Sequence, residues 1–242
     1  MEHLFMIGSC FTTEVGRRLE AEGLDICINP TGNAYNPLSV ARTIINLLRA
    51  KEYRKEDLIL NQGLWRSFDH HTRLAAPTPE EALARINNSM KQGREALLSA
   101  THVIATFGTA WVWERQGQVV CNCHKLPDRE FIRRRLSIPE IVDTWQPIID
   151  QFPDKQFIFT VSPIRHLAQG AHANQLSKAT LLLAIDQLKN CSYFPAYEIV
   201  FDELRDYRFY KDDRVHPSDE AVDIIFRRFL TEFTCRYKSA RK

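Results

Sequence analysis

The sequence predicts an α/β fold of three layers, with helices packed on both faces of a doubly wound, mostly parallel sheet. Three observations carry that prediction. Short apolar runs recur at Leu4 to Gly8, Leu24 to Ile28, Val103 to Phe107 and Gln156 to Val161. Amphipathic helical segments separate them, and turn-forming polar residues follow each run on the side where a parallel sheet opens. With 242 residues, 44% of them hydrophobic, the chain can bury one large core. A single domain over residues 1–242 is expected, with covering insertions near 53–79 and 111–135.

Taken in order, Leu4, Phe5, Met6 and Ile7 read as a buried strand and Thr12 to Glu22 as a helix, with Val15 and Leu19 inward and Gly23 ending it. The second strand runs into a loop, Asn29 to Asn36, dense in turn formers. Pro37 opens a helix in which Leu38, Ala41, Ile44, Ile45 and Leu48 recur at helical spacing. Periodicity is lost from Tyr53 to Pro79, where Trp65 and Phe68 stand among His70, His71 and several charges. Pro79 to Ala100 is amphipathic. Gly108-Thr109-Ala110 leaves the third core strand, and Trp111 to Asn122, interrupted by Gln116-Gly117, reads as a hairpin. Ser137 with Glu140 forms a capping box before a helix to Gln151. Ser162 to His166 leaves the fourth strand, followed by a helix from Asn174 to Asn190, an extended stretch from Tyr193 to Phe201, and a last helix from Ser218 to Phe233.

Charge excludes some functions. Lys plus Arg exceed Asp plus Glu by 32 to 30, too near balance for a polyanion partner, so nucleic acid is not expected. Arg133 to Arg135 reads as a solvated face and Arg236 to Lys242 as a basic tail. No run reaches membrane-spanning length, and no signal-peptide pattern stands at the N-terminus, which predicts a cytoplasmic chain or one whose true start lies upstream. The six cysteines are scattered and read as reduced thiols; Cys121, Cys123 and His124 are too tightly spaced, with no second pair, to complete a zinc tetrahedron.

Chemistry concentrates at two junctions. Ser9 falls on the tight turn between the first strand and its helix, where open α/β sheets receive ligands and free helix N–H groups meet anions. It reads as a nucleophile, a turn former or a helix cap. Asp213 and His216 stand three residues apart before the last helix, so the carboxylate can fold back onto one imidazole nitrogen. The other reading makes Asp213 a helix cap and His216 a loop residue. Nucleophile first and acid with base last, both at strand-to-helix junctions, is a stronger signal than either part.

Gly8-Ser9-Cys10-Phe11, the loop from Asn29 to Ser39, Gly108-Thr109-Ala110-Trp111, Asn122-Cys123-His124-Lys125, Ser162 to His166, Tyr193 to Pro195 with Tyr197-Glu198, and Asp213 to Ser218 together resemble the GSCFA family. That family is similar to the SGNH or GDSL hydrolases. The resemblance implies a flavodoxin-like sheet carrying a Ser-His-Asp triad that hydrolyses O-acyl esters, often on carbohydrates, without metal or cofactor. It implies Ser9 as nucleophile, His216 as general base and Asp213 as its orienter, with the N–H groups of Ser9 and Gly32 in the oxyanion hole. Two departures stand out: Cys10 follows Ser9, and Gly108-Thr109-Ala110-Trp111 replaces a Gly-x-Asn-Asp block, removing an asparagine donor. The Thr109 hydroxyl is the expected substitute, ahead of Asn122.

Asn122, His124, Arg165 and His166 are expected beside the substrate, a small-molecule or carbohydrate acyl ester, with Arg165 as the anion contact. Each of the last three could instead tie loops together. Glu198 is expected as a partner to one of these cations, and Trp111, Trp113 and Tyr35 either stack on a sugar or pack in the core. An acyltransferase on the same triad, a catalytically silent binding module, and Cys10 as nucleophile are the competing readings.

Overall fold

The computed structural model describes residues 2–237. Five strands, β1 (His3–Gly8), β2 (Asp25–Ile28), β5 (His102–Phe107), β9 (Gln156–Val161) and β10 (Cys191–Tyr193), form one sheet in the order β10-β9-β5-β1-β2. Every pairing in it is parallel. Counted along the chain, that order is 2-1-3-4-5, the flavodoxin-like arrangement, and the winding reverses between β1 and β5.

Side-chain alternation along the strands builds the layers. Phe5 and Ile7 of β1, Val103 and Phe107 of β5 and Phe157 and Phe159 of β9 point to one face. There they pack on α2 (Pro37–Leu48), α3 (Pro79–Ser99), α4 (Ile138–Asp150) and α5 (Gly170–Gln187). Trp145 of α4 is fully buried against Phe107 and Phe159, with ring centroids 5.2 and 5.0 Å away. Leu4, Met6, Ile104 and Ile158 point to the other face, onto α1 (Cys10–Ala21) and α7 (Asp219–Tyr237). Because both faces are covered, these strands are nearly continuous apolar runs. Ser137 caps α4 and pairs with Glu140 in the expected box.

Outside the parallel sheet, a hairpin of β3 (Ile59–Asn61) and β4 (Leu64–Arg66) occupies the stretch without periodicity. A second antiparallel sheet is made of β6 (Trp111–Arg115), β7 (Gln118–Val120) and β8 (Ile132–Arg135). Gln116 and Gly117 turn between β6 and β7 with φ of 52° and 75°, the left-handed geometry of a tight hairpin. Arg133 to Arg135 is therefore strand and not merely a solvated face: Arg133 lies over the rings of Trp111 and Trp113, and Arg134 pairs with Glu114 and Glu140.

The expected extended stretch from Tyr193 to Phe201 ends at Tyr193. Beyond it the chain turns into α6 (Ala196–Glu198), continued by a π-helical turn over Ile199–Leu204. Ala196, Ile199 and Val200 are the buried positions against α7's layer, a helical spacing hidden under a β-branched and aromatic run. Of the expected basic tail, Arg236 falls within α7, and residues from 238 on lie outside the described residues. Among the described residues no helix is long and apolar enough to cross a membrane.

Candidate active site

The reversal of winding puts the carboxyl ends of β1 and β5 side by side, and Gly8-Ser9 and Gly108 leave from there. Gly8 has φ of +147°, and a Cβ on it would stand 2.2 Å from the Thr106 carbonyl oxygen, so only glycine allows this approach. Its N–H donates to Asn29 Oδ1 at 2.8 Å and its carbonyl accepts from the Ala34 N–H at 2.9 Å. Asn29 Nδ2 reaches Thr13 Oγ1 and Asn33 Oδ1, both at 3.0 Å. The Asn29 side chain thus ties the Gly8-Ser9 turn to α1 and to its own loop.

Ser9 occupies the cap position of α1, yet its hydroxyl caps nothing. Oγ is buried and has no hydrogen-bond partner among the described residues. An ordinary capping serine spends its oxygen on the helix's free N–H groups, so an idle, buried hydroxyl needs another explanation.

Before α7, Asp213 Oδ1 accepts from the N–H groups of Val215 and His216 at 2.8 and 2.9 Å, and Oδ2 lies 2.6 Å from His216 Nδ1. The helix itself is capped by Ser218, whose Oγ accepts from the Ala221 N–H at 3.2 Å. Asp213 therefore serves the histidine and its turn, not the helix. The His216 N–H, the His216 imidazole and the Val215 N–H hold the Asp213 carboxyl down at about 2. The His216 ring is 46% exposed and lines, with Ser9, a cavity of about 260 Å³. Cys10, Tyr35, Arg165 and His166 also line it.

The other expected site residues divide. His166 is at the cavity: its backbone N–H donates to Asn174 Oδ1 at 2.9 Å, and burial, then Lys178, His216 and Arg133, push its imidazole down to about 4. Arg165 lines the same cavity; its N–H donates to the Val215 carbonyl and its guanidinium to the Arg214 carbonyl. The guanidinium lies over the rings of Tyr207 and Tyr210, which line a neighbouring cavity that Arg165 shares.

Gly32 is not brought to Ser9. Its N–H is bonded to the Asn29 carbonyl at 2.8 Å, it lines a separate cavity with His71 and Arg73, and a Cβ on it would strike His71. Nor is the Thr109 hydroxyl free: Oγ1 accepts from the Trp111 N–H at 3.0 Å and pairs with Ser177 Oγ at 3.1 Å, while its N–H goes to the Tyr35 carbonyl. Asn122 and His124 tie loops together elsewhere. Asn122 Oδ1 accepts from the His124 N–H, and the buried His124 ring sits 2.7 Å from the Ser67 carbonyl. Among the described residues Glu198 pairs with no cation but accepts from the Tyr193 hydroxyl on both oxygens. Trp111 and Trp113 stack on Arg133, whereas Tyr35 reaches the cavity.

One residue escaped the sequence reading. Lys178 of α5 is fully buried, and its Nζ donates to the carbonyls of Gly108 and Ser162 at 2.7 and 2.6 Å. Burial pushes the ammonium down to about 7. The signal was present: Asn174, Lys178, Leu181 and Ile185 follow helical spacing on α5's inward face, so a lysine stood where an apolar residue belongs. Among the described residues, no three of His, Cys, Asp and Glu stand together as a metal site.

A family model described as the GSCFA family matches residues 3–229. The chain belongs to the GSCFA family. The match spans both junctions of this GSCFA protein, from Ser9 to His216. None of the curated proteins compared matches it. A solved structure, the psychrotrophic esterase EstA from Pseudoalteromonas sp. inhibited by monoethylphosphonate, overlaps it with a TM-score of 0.45 at 10% identity, covering 97% of this chain and 98% of its own. That degree of likeness is too low to carry an activity from one chain to the other.

Proposed function

We propose that this GSCFA protein is a serine hydrolase of O-acyl esters, with Ser9 as nucleophile, His216 as general base and Asp213 as the residue that orients it. One observation carries the reading: a buried serine hydroxyl without a partner shares a cavity with an imidazole whose Nδ1 is already bonded to a carboxylate. A carboxylate that titrates at about 2 stays ionised wherever the enzyme would work, so it holds the proton on Nδ1 and leaves Nε2 as the acceptor.

The chemistry follows from those positions. Ser9 Oγ attacks the acyl carbon as His216 takes its proton; the tetrahedral oxygen develops negative charge at the start of α1, where backbone N–H groups, beginning with that of Ser9, favour an anion. His216 returns the proton to the leaving alkoxide, and water, activated by the same ring, resolves the acyl-enzyme. Serine and imidazole must close to about 2.6 to 3.2 Å for the proton to move. A half-exposed ring held at one nitrogen has that freedom. The same exposure gives water access to the base, which favours hydrolysis over transfer to another acceptor.

Cys10 is the weaker nucleophile, because burial raises its thiol pKa and leaves less thiolate. The alcohol side of the ester fits the neighbouring cavity, where Arg165, Tyr207 and Tyr210 offer a cation and aromatic faces to a sugar or a carboxylate-bearing group.

Fluorophosphonate labelling and hydrolysis of p-nitrophenyl acetate test the reading on the wild type beside Ser9→Ala, Cys10→Ala and His216→Ala. The expected result is labelling of the wild type and Cys10→Ala, none of Ser9→Ala, and a loss of ~10³-fold or more in turnover for His216→Ala. Labelling that survives loss of Ser9, or a folded wild type that neither labels nor turns over, rules it out.

A further inference from the structure

If Ser9 is the nucleophile, the developing oxyanion needs donors, and two expected ones, Gly32 and the Thr109 hydroxyl, are committed elsewhere. A second imidazole stands at the serine. A Cβ placed on Gly108 would lie 3.5 Å from Ser9 Cβ and 3.6 Å from His166 Nε2, so serine and ring nitrogen flank one point at the end of β5. The Tyr35 carbonyl oxygen lies 3.1 Å from the same point and is already bonded by the N–H groups of Gly108 and Thr109. Ser9 and His166 also line the same cavity, together with His216.

We propose that His166 is a catalytic residue of this site, donating a hydrogen bond from Nε2–H to the oxyanion formed on Ser9's acyl carbon. The inference rests on the serine hydrolase reading and adds a donor to it.

The two histidines are set apart by their surroundings. His216 has a carboxylate on Nδ1, which supports a positive ring during proton transfer. His166 is mostly buried and faces the basic side chains of Lys178, His216 and Arg133 with no carboxylate beside it among the described residues, so it stays neutral down to about 4. A neutral imidazole donates without competing for the serine's proton, and environments that push two like groups apart divide their roles. Its segment is tied down: the His166 N–H is bonded to Asn174 Oδ1, and Lys178 holds the carbonyls of Gly108 and Ser162. In the chemical step the Ser9 Oγ to carbon bond forms, the carbonyl π pair moves onto oxygen, the serine proton passes to His216, and the His166 proton stays on Nε2. No bond to His166 breaks.

The test measures p-nitrophenyl acetate turnover and fluorophosphonate labelling for the wild type, His166→Ala, His166→Gln and His216→Ala, with circular dichroism and urea unfolding as checks on the fold. His166→Ala is expected to lower kcat by about 10²- to 10³-fold with KM changed less than about threefold. His166→Gln, which restores an N–H donor, is expected to recover at least about tenfold of that loss, and the acid limb of the pH profile is expected to stay where the wild type has it. A folded His166→Ala within about threefold of wild type overturns the inference. So does a folded His166→Gln no better than His166→Ala, because a donor is then not what the ring supplies. Loss of labelling in His166→Ala alongside a near-normal His216→Ala would make His166 the base and overturn it too. A wild type that neither labels nor turns over rejects the serine hydrolase reading, and the inference falls with it.

Discussion

Asp213 makes all its polar contacts within four residues of itself, to two backbone N–H groups and one imidazole. Asp213→Asn would keep an oxygen for the backbone but lose the charge that keeps the proton on His216 Nδ1. We expect kcat to fall about 10²- to 10⁴-fold, with the turn and the unfolding midpoint little changed, measured with p-nitrophenyl acetate and urea. Because the carboxyl titrates at about 2, its protonation contributes nothing to a rate loss seen above about pH 4. The locality of this contact explains why the pair was legible: a carboxylate and a histidine three residues apart can meet in a turn whatever the rest of the chain does. Ser9 was legible for a related reason, since glycine after a buried strand and before a helix marks the turn. Gly32 and Asn122 were not, because each is spent inside its own turn, on Asn29 and on His124, and Thr109 and His124 were not, because what holds them comes from distant segments. The Ser177 hydroxyl, for example, lies 68 residues beyond Thr109. Residue type and loop position say that a donor exists; they do not say where it is spent.

At the level of elements, α5 carries the least ordinary feature. Its Lys178 joins the carbonyl at the end of β5 to the one after β9, with no carboxylate among the described residues to offset the charge. A base whose native pKa is about 7, against about 10.4 when unfolded, binds fewer protons folded than unfolded between those values. Stability contributed by this group therefore rises with pH across that window, by about 1.4 kcal/mol per unit for one proton. Lys178→Met leaves the two carbonyls unbonded and shifts the absolute stability, but it removes the titration. The expected outcome is that wild type minus variant unfolding free energy climbs between pH 7.5 and 9.5; a flat difference means the lysine stays charged when buried. Elements were legible where pattern and boundary agreed, as in α4 with its capping box and the β6 to β7 hairpin with its left-handed turn. They were lost where composition contradicted packing. Ile199, Val200 and Phe201 favour strand, yet burying Ala196, Ile199 and Val200 together requires a helical turn. The arginines of β8 have polar character suited to solvent, but two tryptophans cover one of them.

For the whole molecule, alternating strands and helices predict the layers, while the strand order depends on which neighbours pair, a choice the apolar runs do not encode. That order matters, because it sets Ser9 and Gly108 side by side at the reversal. The same burial makes the molecule sensitive to acid in a definite sequence. His70 and His166 are both pushed down to about 4, chiefly by burial, so the native state refuses protons that the unfolded chain accepts between pH 6.5 and 4. Their contribution to stability is whole above about 6.5 and is lost as pH falls through that window. Asp69, Glu140 and Asp213 are also held below their ordinary values of 3.8, 4.5 and 3.8, so what they contribute is kept until pH drops under those values, well below the histidine window. Acid unfolding should begin with the histidines. His70 packs edge-on against Tyr53, with ring centroids 4.6 Å apart, and its Nδ1 has no partner, so phenylalanine can take its place without abandoning a hydrogen bond there. His70→Phe is expected to hold the pH 7.5 stability within about 1 kcal/mol. It should also reduce the slope of unfolding free energy between pH 6.5 and 4.5 by up to about 1.4 kcal/mol per unit, in urea titrations at stepped pH. An unchanged slope would mean that His70 takes up its proton in the folded state, and that the fold near Tyr53 opens enough to admit it.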